Sequence, residues 1–151
     1  MTFEDIKVKY SEREPAFPEH LPKPNETDLN NLIKKYNCKF PKSFINFQLT
    51  YCNRVPIGDF SFEGFGWSNK ELGPNMNLEE ILKGYSDLKF PDYLTPFRYD
   101  NGDFWCFDNR VSKSEYPVVI FDHNSNDIET DSNYKWTNFI DWLDKTMEDD
   151  F

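Results

Sequence analysis

Long apolar runs are missing from this chain. No stretch approaches the roughly 20 residues that cross a bilayer, and the mean hydropathy is −0.78, so no membrane-spanning segment is expected. The opening MTFEDIKVKY has no basic region followed by an apolar one, so no signal peptide is expected and a cytoplasmic location is. Positive charge is scarce: 17 Lys and Arg stand against 27 Asp and Glu, for a net charge of −10 and a pI near 4.6. That balance argues against nucleic acid or an anionic membrane as partner and makes a basic protein the natural complement. The three cysteines, Cys38, Cys52 and Cys106, form no CxxC spacing, which predicts reduced thiols and no disulfide. There is no GxSxG, HExxH, Walker or dinucleotide glycine fingerprint, and Gly64-Phe65-Gly66 is too little for a phosphate loop. No enzyme activity, metal or cofactor is therefore expected.

What the chain has instead is rings. Aromatic residues make up 18% of its 151 residues, 15 of them Phe, so a core can be built from rings rather than from Leu and Val. This length suits one domain that buries roughly two thirds of its unfolded surface.

The strongest local signal is LTPFRYDNGDFWCFD, Leu94–Asp108. Asn101-Gly102 separates two aromatic, β-forming runs, and both residues tolerate the positive φ of a type I′ hairpin turn. A two-residue loop sets Asp100 against Asp103, Tyr99 against Phe104, Arg98 against Trp105 and Phe97 against Cys106. Alternation then puts Phe97, Tyr99, Phe104 and Cys106 on one face, expected to pack on at least one of the three longer helices. Arg98, Asp100, Asp103, Trp105 and Phe107 share the other face, whose mixture of charge and large rings suits a binding surface.

Around the hairpin, Ile6, Val8 and Tyr10 alternate with lysines and predict a short N-terminal strand, followed by a proline-rich surface connection through Pro24. Leu29, Leu32, Ile33 and Tyr36 predict a helix over Asn25–Asn37, capped by Asn25 or Thr27 and stopped by Asn37. A second helix is expected from Pro41 to about Tyr51. Short strands are expected in Val55–Trp67. A helix should start near Asn77 and stop at Gly84. Pro117–Asp122 reads as a strand buried on both faces, His123–Asn133 as a polar loop, and Tyr134–Met147 as a closing helix. Helices and strands segregated in this way predict one α+β domain.

Asp100, Asp103, Asp108, Asp122 and His123 could be drawn as a Mg²⁺ or Ca²⁺ site serving a hydrolase, but aspartate is common at turns and strand ends, and that reading is preferred. A nucleophilic pair would need Cys106 or Cys52 near His123, and it is disfavoured because Cys106 falls on the apolar hairpin face, where a buried thiol is inert. Arg98 against Trp105 is either a cation–π strut or an interface anchor. The candidate partner-binding residues are Arg98, Asp100, Asp103, Trp105, Asp108, Asp122 and His123.

The order of pieces resembles the Smi1/Knr4 (SUKH) superfamily. Those pieces are Phe40-Pro41 entering the second helix, Tyr51-Cys52-Asn53 leaving it, Pro96-Phe97, Gly102-Asp103, Cys106-Phe107-Asp108, Pro117-Val118-Val119, Asp122-His123 and Trp136–Leu143. The glycine usually doubled after the second helix is missing beyond Asn53, and Phe107 replaces the usual Leu. The resemblance implies a SUKH-like domain over 25–147, with a central antiparallel sheet packed against helices, preceded by an extension at 1–24 and followed by an acidic tail at 148–151. It also implies a non-enzymatic, protein-binding role: an immunity protein of the bacterial type that neutralises a toxin domain, or a regulatory scaffold of the fungal type acting in cell-wall synthesis.

Overall fold

The computed structural model of the chain describes residues 1–12, 25–51, 78–88, 90–110 and 114–149. The expected strands in Val55–Trp67, the proline-rich connection, the Asn77 cap and Cys52 lie outside them.

Among the described residues there are five α-helices and a five-stranded antiparallel sheet, a mixed α+β single domain. In chain order these are α1 (Phe3–Lys9), α2 (Glu26–Tyr36), α3 (Lys42–Tyr51), α4 (Leu78–Asp87), β1 (Leu94–Asp100), β2 (Asp103–Asp108), β3 (Val118–Asp122), β4 (Asp127–Ile128), β5 (Lys135–Trp136) and α5 (Phe139–Asp149). A single 3₁₀ turn, Ser132–Tyr134, precedes β5. The sheet runs β1-β2-β3-β4, and β5 pairs with the other half of the outer edge of β3.

Local chemistry explains most of the element ends. The Asn25 side chain accepts from the Asp28 N–H at the start of α2, and Asn37 closes the helix with φ 52°. The Ile45 N–H donates to Pro41 O, so Pro41 sits one position before the helix it was expected to begin. At the hairpin tip Asn101 and Gly102 have φ of 49° and 92°, the two positive angles that a type I′ turn demands.

The sheet divides the interior into two apolar clusters. One face carries Phe97, Phe107 and Val118 against Phe44 and Phe47 of α3 and Phe139, Trp142 and Leu143 of α5. Phe97 and Phe107 stack at 4.5 Å, and the Phe97 ring meets Trp142 edge-on at 5.0 Å. The opposite face carries Phe104, Cys106, Val119 and Phe121 with Tyr99 beside them. It packs under Ile81 and Tyr85 of α4, rather than under α2, α3 or α5.

Five expectations are corrected. Phe97 does not share a face with Tyr99, Phe104 and Cys106: the register slips between Pro96 and Arg98, so Pro96 rather than Phe97 faces Cys106. Proline has no N–H for a ladder, and a bulge beside it turns the next ring to the other face. The N-terminal strand is the helix α1, in which Thr2 and Asp5 form a capping box and Val8 is 74% exposed. Gly84 does not stop α4, which continues to Asp87. The loop over His123–Asn133 contains β4, and the closing helix begins at Phe139 because Lys135–Trp136 joins β3 as β5.

Candidate functional site

The hairpin register brings carboxylates into line. Asp100 faces Asp103 across β1 and β2, Phe104 faces Phe121 one residue further in, and Asp122 faces Asp127 across β3 and β4. Asp100, Asp103, Asp122 and Asp127 therefore form one row across four strands at one end of the sheet. Like charges in cross-strand register are destabilising, so the local contacts of the row matter. Asp103 Oδ1 accepts the His123 backbone N–H at 3.1 Å and lies 2.7 Å from the imidazole Nδ1. The tautomer with the proton on Nδ1 satisfies both atoms. Asp122 Oδ1 accepts the Asn124 N–H at 2.8 Å, and Asp127 Oδ1 accepts the Ile128 N–H at 2.7 Å.

The His123 ring is seated against the turn. A Cβ placed on Gly102 would come within 2.8 Å of the His123 ring, so glycine is required there for close approach as well as for its positive φ. The β1–β2 turn is thereby tied to the β3–β4 turn. Ligand atoms of Asp103, Asp122 and His123 lie within 4.8 Å of one another, a grouping able to hold a divalent cation.

Arg98 and Trp105 form the next row inward on the same face. The Arg98 guanidinium lies 4.7 Å from the Trp105 ring and 6.0 Å from that of Trp142. Both residues are half-buried, so the pair joins the sheet to α5 and still presents a surface.

Asp108 is placed elsewhere. It ends β2 at the far end of the strand, is 7% exposed, and is held by Arg110 through Nε at 3.0 Å and Nη2 at 2.7 Å. Burial pushes its carboxyl up, but the Arg110 hydrogen bonds outweigh that and hold it below the usual range. Arg110 in turn lies 4.5 Å from the Tyr93 ring. Of the candidate residues, Asp100, Asp103, Asp122 and His123 meet at one sheet end with Arg98 and Trp105 beside them, and Asp108 does not join them.

Phe107 is fully buried in the ring cluster rather than on a surface. Cys106 is also fully buried, on the face opposite the aspartate row, and burial pushes its thiol well above the ordinary range. Asp127 is the member that sequence reasoning missed. The turn-forming run Asn124-Ser125-Asn126, with Asn126 at φ 55°, is the signal that could have placed it opposite Asp122.

Comparison with known proteins bears on the whole arrangement. A crystal structure of a protein from Pseudomonas syringae pv. tomato shares the fold, with a TM-score of 0.64 at 19% sequence identity, over 93% of this chain and 94% of that one. No curated protein matches the chain. The family model described as SUKH_5, SMI1-KNR4 cell-wall, matches residues 3–148. With nearly its full length matched, the chain belongs to the SUKH_5 family of SMI1-KNR4 proteins.

Proposed function

We propose that the chain is a non-enzymatic, cytoplasmic binding protein whose aspartate row meets a basic surface on a protein partner, and that it acts as an immunity protein, neutralising a toxin domain by stoichiometric occlusion. The observation that carries this reading is the alignment of Asp100, Asp103, Asp122 and Asp127 across four strands, beside the half-buried Arg98–Trp105 pair. A cationic partner relieves repulsion that the free protein bears, and Trp105 supplies apolar contact at the rim of the charge. Occlusion of an active site requires no chemistry from this chain.

Two other readings have support of their own. The cell-wall wording of the family description favours a regulatory scaffold. The convergence of Asp103, Asp122 and His123 favours a metal-dependent hydrolase. The experiment is to search the neighbouring genes for a toxin domain, express any that is found and measure its association with the parent, Asp103→Lys and Trp105→Ala. Acidic steering speeds association by ~10–10³-fold at low salt and fades as the Debye length shrinks. Asp103→Lys is therefore expected to slow association and flatten its salt dependence, and Trp105→Ala chiefly to speed dissociation. Unchanged rates in both variants would move the interface elsewhere. No toxin gene alongside, together with a cell-wall defect on deletion, would favour the scaffold, and a stoichiometric Mg²⁺ or Mn²⁺ isotherm lost in Asp122→Asn would favour the hydrolase.

A further inference from the structure

Helix α1 is fastened to the domain in an unusual way. It has seven residues, well short of the roughly 12–15 at which an isolated helix becomes even marginal in water, so docking must supply its stability. Its buried anchors are Ile6 in mid-helix and Tyr10 just past the end, with Lys9 between them, and Phe3 packs partly buried at the start. Ile6 and Tyr10 are buried in the cluster that includes Phe47, Leu143 and Met147. The remaining anchor is polar. The Lys9 ammonium donates to Asp144 Oδ1 at 2.9 Å and Oδ2 at 3.1 Å, and the Tyr10 hydroxyl lies 2.9 Å from Oδ1 and 3.0 Å from the Asp144 carbonyl.

Asp144 belongs to α5 and is only 7% exposed. Among the described residues, the polar partners of its carboxylate are Lys9 and Tyr10. The first turn of α1 sits differently. A cavity of about 410 Å³ lies between Met1–Glu4 and the face of α3 bearing Lys42, Asn46 and Phe47. The Phe3 ring reaches Phe47 edge-on at 5.8 Å.

We infer that α1 is a clasp that opens and closes as a unit against an otherwise folded domain, with Asp144 as its catch. An apolar anchor loses its burial when a segment lifts away. A carboxylate buried by that same segment is returned to water together with its partners, and the solvation regained offsets part of the lost ion pair. The catch therefore specifies where α1 seats and costs less to open than an apolar anchor would, on top of the burial lost by Ile6 and Tyr10. Opening from the cavity end uncovers the part of the ring cluster around Phe47 and Met147.

The test is native-state hydrogen exchange on the full chain, read by mass spectrometry, for the parent, Asp144→Asn and Tyr10→Phe. In the parent, amides of residues 6–10 should exchange at least tenfold faster than those of β2. Each variant should raise exchange in α1 a further tenfold or more while β2 stays at the parent rate. If Asp144→Asn loosens the whole fold, β2 will report it, and Tyr10→Phe, which removes one oxygen, decides. The inference is overturned if α1 and β2 exchange together in the parent, or if Tyr10→Phe leaves α1 exchange unchanged.

Discussion

Strand β2 begins and ends on an aspartate, and its two ends hold that charge in opposite ways. Asp108 is nearly enclosed, and the arginine two residues later grips both of its oxygens. Asp103 shares its end of the sheet with three further carboxylates and is answered by one histidine. At the Asp108 end the charge is consumed internally and serves the fold. At the Asp103 end charge of one sign is gathered where the fold gains least from it. Four aspartates in cross-strand register are a poor choice for stability alone, and that surplus is what the proposed partner would use.

The two ends can be separated by substitution. The largest effect should come from the apolar residue beside the acidic end: Phe104 is buried under α4, and Phe104→Ala should lose ~3–5 kcal/mol in a denaturant titration. A loss below about 1 kcal/mol would mean that the middle of β2 does not hold its ends in place. Next in size is Arg110→Ala, which should lose up to ~1 kcal/mol at pH 7, since Arg110 is half-exposed. The sign with pH follows from Asp108, whose folded carboxyl lies below the usual range. Its contribution is present above the unfolded carboxylate value and is lost as pH falls through the folded one. Melting curves of parent and variant should therefore differ at pH 7 and converge in strong acid; a constant gap would show that Arg110 acts through Tyr93 packing instead. The smallest effect belongs to the other end. Asp100→Asn removes one member of the row and should raise stability by ~0.2–0.5 kcal/mol, visible as a slightly higher Tm. A drop would mean that the row is internally compensated and the contrast between the ends is false.

The parts legible in the sequence are those fixed by short-range chemistry. Asn101-Gly102 gave the turn, and the turn gave the pairs Arg98–Trp105, Tyr99–Phe104 and Asp100–Asp103. The Asn25 cap and the Asn37 stop bounded α2. Reading failed where one residue decided between two periods. Ile6 and Tyr10 fit a strand at every second position and a helix at i and i+4 equally well, and the Thr2–Asp5 capping box was the overlooked arbiter. Phe97 was placed by strict alternation although Pro96 could not sustain the ladder. The aspartate row was half visible: Asp122 was in view, but its alignment with Asp103 depends on the register of β2 against β3, consecutive strands joined by a connection too long for a tight turn to fix that register.

Cys106 gives the molecule a built-in clock. Its thiol is sealed beneath α4 and kept protonated by burial, and burial pushes Cys38 up to about 12. Thiolate is the reactive form, so an alkylating reagent at neutral pH meets Cys106 only while the sheet is open. With reagent in excess, labelling at that position counts openings, and its rate should match the slowest-exchanging amides of β2 under conditions where their exchange is also limited by opening. Faster labelling at Cys106 than at those amides would reveal a path beneath α4 that leaves the strands paired. Alkylation without reductant after unfolding should modify Cys38, Cys52 and Cys106 alike, and an unmodified pair would expose a disulfide and overturn the reduced-thiol assignment.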